Sequence, residues 1–209
     1  MQRARRDQRT GSGLVAALLL LIAGAASAQD ALPVRNCTWC HGSSAQGFMF
    51  APRLAGQRTA YIERELASFA AHARDNPLSQ KYMWGAVARL DPATAQGLAV
   101  YFSSLAPEAA ADGQSGLAAT GKAIYDNGVA VDNVAACIAC HGPNGEGVRD
   151  IPRLGGLSYV YLKRRLEQWN QGYHQSAKPM PLVAKSLSAN EVEALASYLS
   201  FVQFVDVGR

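Results

Sequence analysis

At 209 residues, with 49% hydrophobic and 17% charged side chains, the chain has the composition of a folded globular protein and room for one or two domains. Its formal charge of +4 is not gathered into the basic stripe that nucleic-acid binding requires.

The first 28 residues read as a secretory signal peptide. Arg3, Arg5, Arg6 and Arg9 make a basic start, Leu14 to Ala23 an apolar run, and Ala26-Ser27-Ala28 a small-residue cleavage site. The run is shorter than the ~20 residues of a membrane-spanning helix, which disfavours an uncleaved anchor. This segment holds four Arg and one Asp, a net +3, so the remainder carries +1. The location this predicts is periplasmic.

After it the chain repeats itself. Cys37-Thr38-Trp39-Cys40-His41 and Cys137-Ile138-Ala139-Cys140-His141 are both C-x-x-C-H, one hundred residues apart. Pro52-Arg53-Leu54 matches Pro152-Arg153-Leu154 at the same offset, as Tyr61 matches Tyr161 and Leu66 matches Leu166. After a three-residue gap Met83 falls on Met180, Leu90 on Leu187 and Tyr101 on Tyr198. A repeat of this length predicts two copies of one domain, over residues 29–107 and 118–209, with 108–117 as linker.

The predicted elements are helical. Tyr61, Ile62, Leu66 and Phe69 recur at helical spacing over 61–71, as do Tyr161, Leu162, Leu166 and Trp169 over 161–169. Asp91-Pro92 is a cap followed by Pro at the first helical position, and Ser188 with Glu191 a capping box. No run alternates as a strand does.

C-x-x-C-H is a haem-attachment signal. Its two thiols add to the two haem vinyl groups as thioethers, and the adjoining imidazole faces the iron. Zinc would want four ligands where each cluster offers three. A C-x-x-C redox site would want a βαβ context that is missing, and the spacing argues against a disulfide framework. The cofactor expected is therefore covalent haem c, two per chain, held by Cys37, Cys40, Cys137 and Cys140. His41 and His141 are the expected iron ligands. For the opposite face, Met83 and Met180 lie 42 and 39 residues after their His, before the last helix of each repeat. Pro179-Met180-Pro181 reads as a stiff, extended loop. Met/His ligation raises the reduction potential. Met49 has no counterpart in the second repeat and reads as loop packing. His72 and His174, each following a middle helix, are the alternative ligands, with a solvated helix-end role preferred.

With these motifs the chain resembles the class I cytochromes c, and most closely their dihaem, two-domain c4-like members, over residues 33 to 204. The resemblance implies an all-α fold of two tandem domains wrapped around their haems. It implies that the carbonyls of Pro52 and Pro152 hold the two imidazoles and that Leu54 and Leu154 pack on haem. Arg53 and Arg153 are expected to pair with haem propionates, or else to be ordinary surface charge. The family opens each domain with a helix whose Gly packs on an aromatic of the last helix. Gly121 and Tyr198 supply that pair in the second domain. Only Gln29 to Asn36 separate the predicted cleavage site from Cys37, too few for it in the first, where Leu98, Tyr101 and Phe102 are expected to form an outward apolar strip.

The function expected is electron transfer, without enzymatic turnover, between redox proteins such as a dehydrogenase, a quinol-oxidising complex or a terminal oxidase. The alternatives are a cytochrome subunit of a larger dehydrogenase and a dihaem peroxidase. Membrane association is expected only through a partner, and a homodimer or subunit contact through the first domain.

Overall fold

The computed structural model describes residues 32–48 and 50–203. The signal-peptide reading of 1–28 and the reading of Met49 lie outside the described residues. From Pro33 on, the chain forms one compact unit. Among the described residues no strand forms, only isolated bridges such as Phe48 with Ala51 and, one hundred residues later, Val148 with Ile151.

In chain order, α1 (Val34–His41) carries the first C-x-x-C-H, followed by α2 (Thr59–Ala70). A π-helical turn, Ser79–Met83, runs straight into α3 (Trp84–Val87). α4 (Pro92–Ser104) closes the first half. The second half runs through α5 (Ala118–Asn127), α6 (Ile138–His141), α7 (Tyr159–Asn170), α8 (Met180–Ala184) and α9 (Ala189–Phe201).

The caps behave as their chemistry dictates. The Asp91 side chain accepts the Thr94 N–H, satisfying a donor that the first turn of α4 leaves free. Ser188 and Glu191 bond reciprocally to start α9. The expected extended loop at Met180 is instead helical. Met180 is the first residue of α8, with Pro181 in a first-turn position where its missing N–H costs nothing. Met83, expected on a loop, likewise ends the π-helical turn.

α9 packs against α5 and α7, and α2 packs against α4. In the second half, Val192, Leu195 and Leu199 of α9 join Tyr125, Leu162 and Leu157 in a continuous core. The α5–α9 crossing is close because Gly121 has no side chain. A Cβ there would overlap the Ala194 carbonyl oxygen and lie 2.7 Å from Tyr198 Cβ. Tyr125 and Tyr198 meet beside it with ring centroids 5.5 Å apart.

Among the described residues the first half has no such crossing, and the apolar strip expected there is narrower than the sequence implied. Leu98 and Phe102 are buried, because α4 turns them toward its own domain. Only Val100 and Tyr101 face outward, at 55% and 38% exposure.

The two halves meet across a polar interface. Asp75 Oδ1 accepts the His174 backbone N–H at 2.7 Å, and Arg165 donates to the carbonyl of the Asn76 side chain. The joining segment is anchored to the second half: the Ala110 and Ala111 N–H groups donate to the carbonyls of Gly156 and Ser200.

Gly121→Ala should destabilise the protein by ~2 kcal/mol, since α5 must move off α9 to admit a methyl group. At ~2–4 °C per kcal/mol for a chain this size, the melting midpoint should drop ~4–8 °C, read by far-ultraviolet dichroism.

Candidate functional site: two cysteine–histidine helical turns

Each site is a helical turn, a tight loop and a proline carbonyl. In α1, Cys37 is half-buried, Cys40 exposed and His41 buried; Cys137, Cys140 and His141 repeat the pattern. None of the four cysteines is in a disulfide. Burial pushes the Cys37 and Cys137 thiols up, Cys137 to about 11. That is the reverse of the depressed thiol of a redox or zinc site. Among the described residues, no three His, Cys, Asp or Glu side chains converge as a metal cluster.

The chain then turns back on itself. The Gly47 N–H donates to the His41 carbonyl at 2.8 Å, and Gly147 does the same to His141. Both glycines have positive φ, +73° and +66°, and a Cβ on either would lie 2.5–2.6 Å from the carbonyl carbon of the following proline. Only glycine fits this fold-back. It brings the Pro52 carbonyl to 2.7 Å from His41 Nδ1, and the Pro152 carbonyl to 2.9 Å from His141 Nδ1.

A carbonyl only accepts, so Nδ1 carries the proton in both rings and the lone pair is on Nε2. Burial lowers both imidazole pKa values. The proline hydrogen bond opposes this in each, and the Arg74 charge adds to the lowering at His41. The result is a pair of neutral imidazoles, each offering a fixed lone pair beside two cysteine sulfurs on the same helical turn. These donors fit haem c.

A second observation bears on what the sites hold. Two buried donors, Arg74 Nε and Trp169 Nε1, have no hydrogen-bond partner among the described residues. Trp169 lies in the last turn of α7, and Arg74 four residues beyond the end of α2. Unpaired buried donors of this kind suit a carboxylate-bearing group, and haem has two propionates. Neither donor's role is visible from local pattern, because the lack of a partner shows only once the residue is buried.

Arg53 and Arg153, expected to pair with haem propionates or to be ordinary surface charge, are buried and make hydrogen bonds to the other half. Arg53 donates through Nη1 and Nη2 to the carbonyls of Gly156 and Gly155 in the other half, at 2.8 and 2.6 Å. Arg153 Nε donates to the Gly56 carbonyl at 3.0 Å. Both are interface residues, since docking brings each within reach of the other half's glycine carbonyls. Burial, and then the Arg153 charge, lowers the Arg53 guanidinium to about 10.

Met83 and Met180 are both half-buried, each at the start of the short helix that precedes the last one. The rival histidines are engaged elsewhere. His72 is exposed and stacks on Trp84 with centroids 4.0 Å apart. His174 is buried, and its Nδ1 accepts from Arg165 Nη2 at 3.0 Å. Its proton is therefore on Nε2, and neither nitrogen has a lone pair left for a metal.

His174 sits in a buried network of opposing charges. Arg74 pairs with Glu65 and donates to the Tyr161 hydroxyl, while Arg165 also donates to Gln168. Burial works against the Arg74 charge, but Tyr161, Glu65 and Tyr61 outweigh it and the net shift is upward. Burial lowers His174 to about 4; Arg74 and Arg165 add to this, while Glu65 and Asp75 oppose it.

Comparison with known proteins agrees with this geometry. The cytochrome c family model matches residues 118–203. Cytochrome c-552 of Acidithiobacillus ferridurans is 35% identical over 90% of this chain and 86% of its own. The thiosulfate dehydrogenase electron acceptor of Stutzerimonas stutzeri is 35% identical over 95% of this chain and 96% of its own. The solved structure of Acidithiobacillus ferrooxidans cytochrome c4 superposes with a TM-score of 0.75 at 33% identity, covering 79% of this chain and 98% of that one.

The low pKa of His174 has a consequence for stability. Its folded value lies below the ordinary 6.5, so the unfolded chain takes up the proton first. Stability should be at its full value above pH 6.5 and fall as the pH drops toward about 4. Urea midpoints across that range should show the slope, and His174→Gln, which still offers Arg165 an acceptor, should flatten it.

Proposed function

We propose that this chain, which belongs to the dihaem c4 group of class I cytochromes c, is a periplasmic carrier that accepts electrons from a dehydrogenase and passes them to an oxidase or a second carrier. It holds two haem c groups and transfers electrons, and like its relatives it is not itself an enzyme. The periplasmic reading is supported by the signal-like start of the sequence. No helix among the described residues is long and apolar enough to cross a membrane.

The observation that carries the reading is the duplicated proline-held imidazole beside two cysteines. When bound, haem supplies a one-electron iron couple. Cys37 and Cys40, or Cys137 and Cys140, would fix it covalently. His41 or His141 would ligate it from one side, with orientation set by Pro52 or Pro152. Met83 or Met180 would ligate it from the other, filling the coordination sphere so that no substrate site opens. Arg74 and Trp169 would meet its carboxylates.

A more specific donor is supported by the Stutzerimonas stutzeri relative, named for accepting electrons from thiosulfate dehydrogenase. The donor proposed here is a dehydrogenase of the same kind, acting on a reduced sulfur compound. Val100 and Tyr101 on α4 support a subunit contact through the first half. Sedimentation of the native protein alone and with its donor would detect such a contact, and Tyr101→Lys should weaken it.

The mature protein should exceed its polypeptide mass by two haems and show a near-infrared sulfur-to-iron charge-transfer band when oxidised. Met180→Ala should remove about half of that band. Retention of the whole band would exclude Met180 as a ligand.

Mixing the oxidised protein with a thiosulfate dehydrogenase and thiosulfate should reduce both haems, seen at the α-band. Peroxide turnover with a high-spin ferric signal would favour the peroxidase alternative instead.

A further inference from the structure

The two haem sites are near copies, but one receives a hydrogen bond from the opposite half of the molecule. Gln57 lies between the first proline-arginine segment and α2, and is buried. Its side-chain amide docks on Arg153 of the other half through two bonds. Nε2 donates to the Arg153 carbonyl at 3.0 Å, and Oε1 accepts the Arg153 N–H at 2.7 Å. Oε1 also accepts the Arg58 N–H at 2.9 Å, so two backbone donors fix which end of the amide is oxygen.

The Arg153 N–H belongs to the same peptide group as the Pro152 carbonyl, and that carbonyl holds His141 Nδ1. Gln57 and His141 therefore sit at the two ends of one peptide unit. At the matching position one hundred residues on, the second half has Leu157, a hydrocarbon with no acceptor to offer.

We infer that Gln57 is a positioning residue for the second haem, acting across the domain interface through the Pro152–Arg153 peptide on His141. The inference rests on His141 being an iron ligand. A peptide whose N–H donates becomes a stronger acceptor at its carbonyl. The Pro152 oxygen then pulls harder on the His141 Nδ1 proton and makes Nε2 more electron-rich, which favours ferric iron. Gln57 thereby lowers the reduction potential of the second haem below the value its own half would set. The His41–Pro52 bond receives no such contribution from Leu157.

The test is a potentiometric titration of the dihaem protein with Gln57→Met, which keeps the side chain's length but loses the amide, and with Gln57→Leu. Met180→His identifies the wave of the second haem by displacing it. Asp75→Ala, which cuts a different interdomain bond, controls for loosening of the interface. Either Gln57 variant should lower the oxidised-to-reduced ratio of the second haem about twofold at fixed poise. That is a rise of ~18 mV at 59 mV per tenfold change. The first haem should stay where it was, and Asp75→Ala should reproduce neither effect. No shift, an equal shift of both haems, or the same shift from Asp75→Ala would overturn the inference. A wild-type protein without two low-spin, histidine-ligated haems would instead overturn the reading on which it rests.

Discussion

Each half of this molecule is organised by one hydrogen bond, from a buried imidazole to a proline carbonyl. It determines three things at once. It places the proton on Nδ1 and so leaves the lone pair on Nε2. It ties the cysteine-bearing helical turn to a segment eleven residues further along. And it requires the chain between them to fold back through a left-handed glycine, Gly47 or Gly147, too tightly for any side chain. Proline suits the acceptor position because it contributes a carbonyl and, lacking an N–H, no donor of its own.

Docking two copies of such a domain creates an electrostatic difficulty that the sequence resolves by divergence. Positions 65 and 165 correspond, as do 74 and 174, and in each half the two side chains pair with each other. Identical copies would bury the same charges twice. Instead the first half pairs Glu65 with Arg74, and the second pairs Arg165 with His174. Arg74 then holds the carboxylate, Arg165 bonds to the neutral side chains of Asn76, Gln168 and His174, and the imidazole is held low by burial. A cation at 174 would add a third positive charge to a dry interface, where a charge without its own counter-charge is expensive.

This divergence separates what could be read in the sequence from what could not. The caps at Asp91 and Ser188 are local and follow from residue chemistry, whereas the close crossing at Gly121 and the holding of the imidazoles by Pro52 and Pro152 were expected only from the family resemblance. The destinations of Arg53 and Arg153 are not local. Each guanidinium ends on a backbone carbonyl about one hundred residues away, and only the docked arrangement of the halves decides which. The donor roles of Trp169 and Arg74 were unread for a related reason: what distinguishes them is a donor without a described hydrogen-bond partner in a buried place, and no sequence pattern encodes that. The helical turn at Met180 was hidden because a short Pro-flanked segment reads equally as extended chain or as a first turn.

The first half is also held together differently from the second, although the two are copies. The second half closes with α5 across α9, where Gly121 lets the backbones touch and Tyr125 fills the space beside Tyr198. The first has no described helix in that place, yet it buries Leu98 and Phe102 on the inner face of α4, each contributing ~1.5–3 kcal/mol. The Phe102 carbonyl accepts the Gly56 N–H, and the Pro107 ring lies against Gly56. Gln46 clamps the same segment, donating to the Ala106 carbonyl and accepting the Glu108 N–H. From there the chain passes directly into hydrogen bonds with Gly156 and Ser200. The connecting segment thus fastens α4 to its own domain at one end and to the second domain at the other. The order of the first half is coupled to docking on the second, and the interface arginines Arg53 and Arg153 hold the two together.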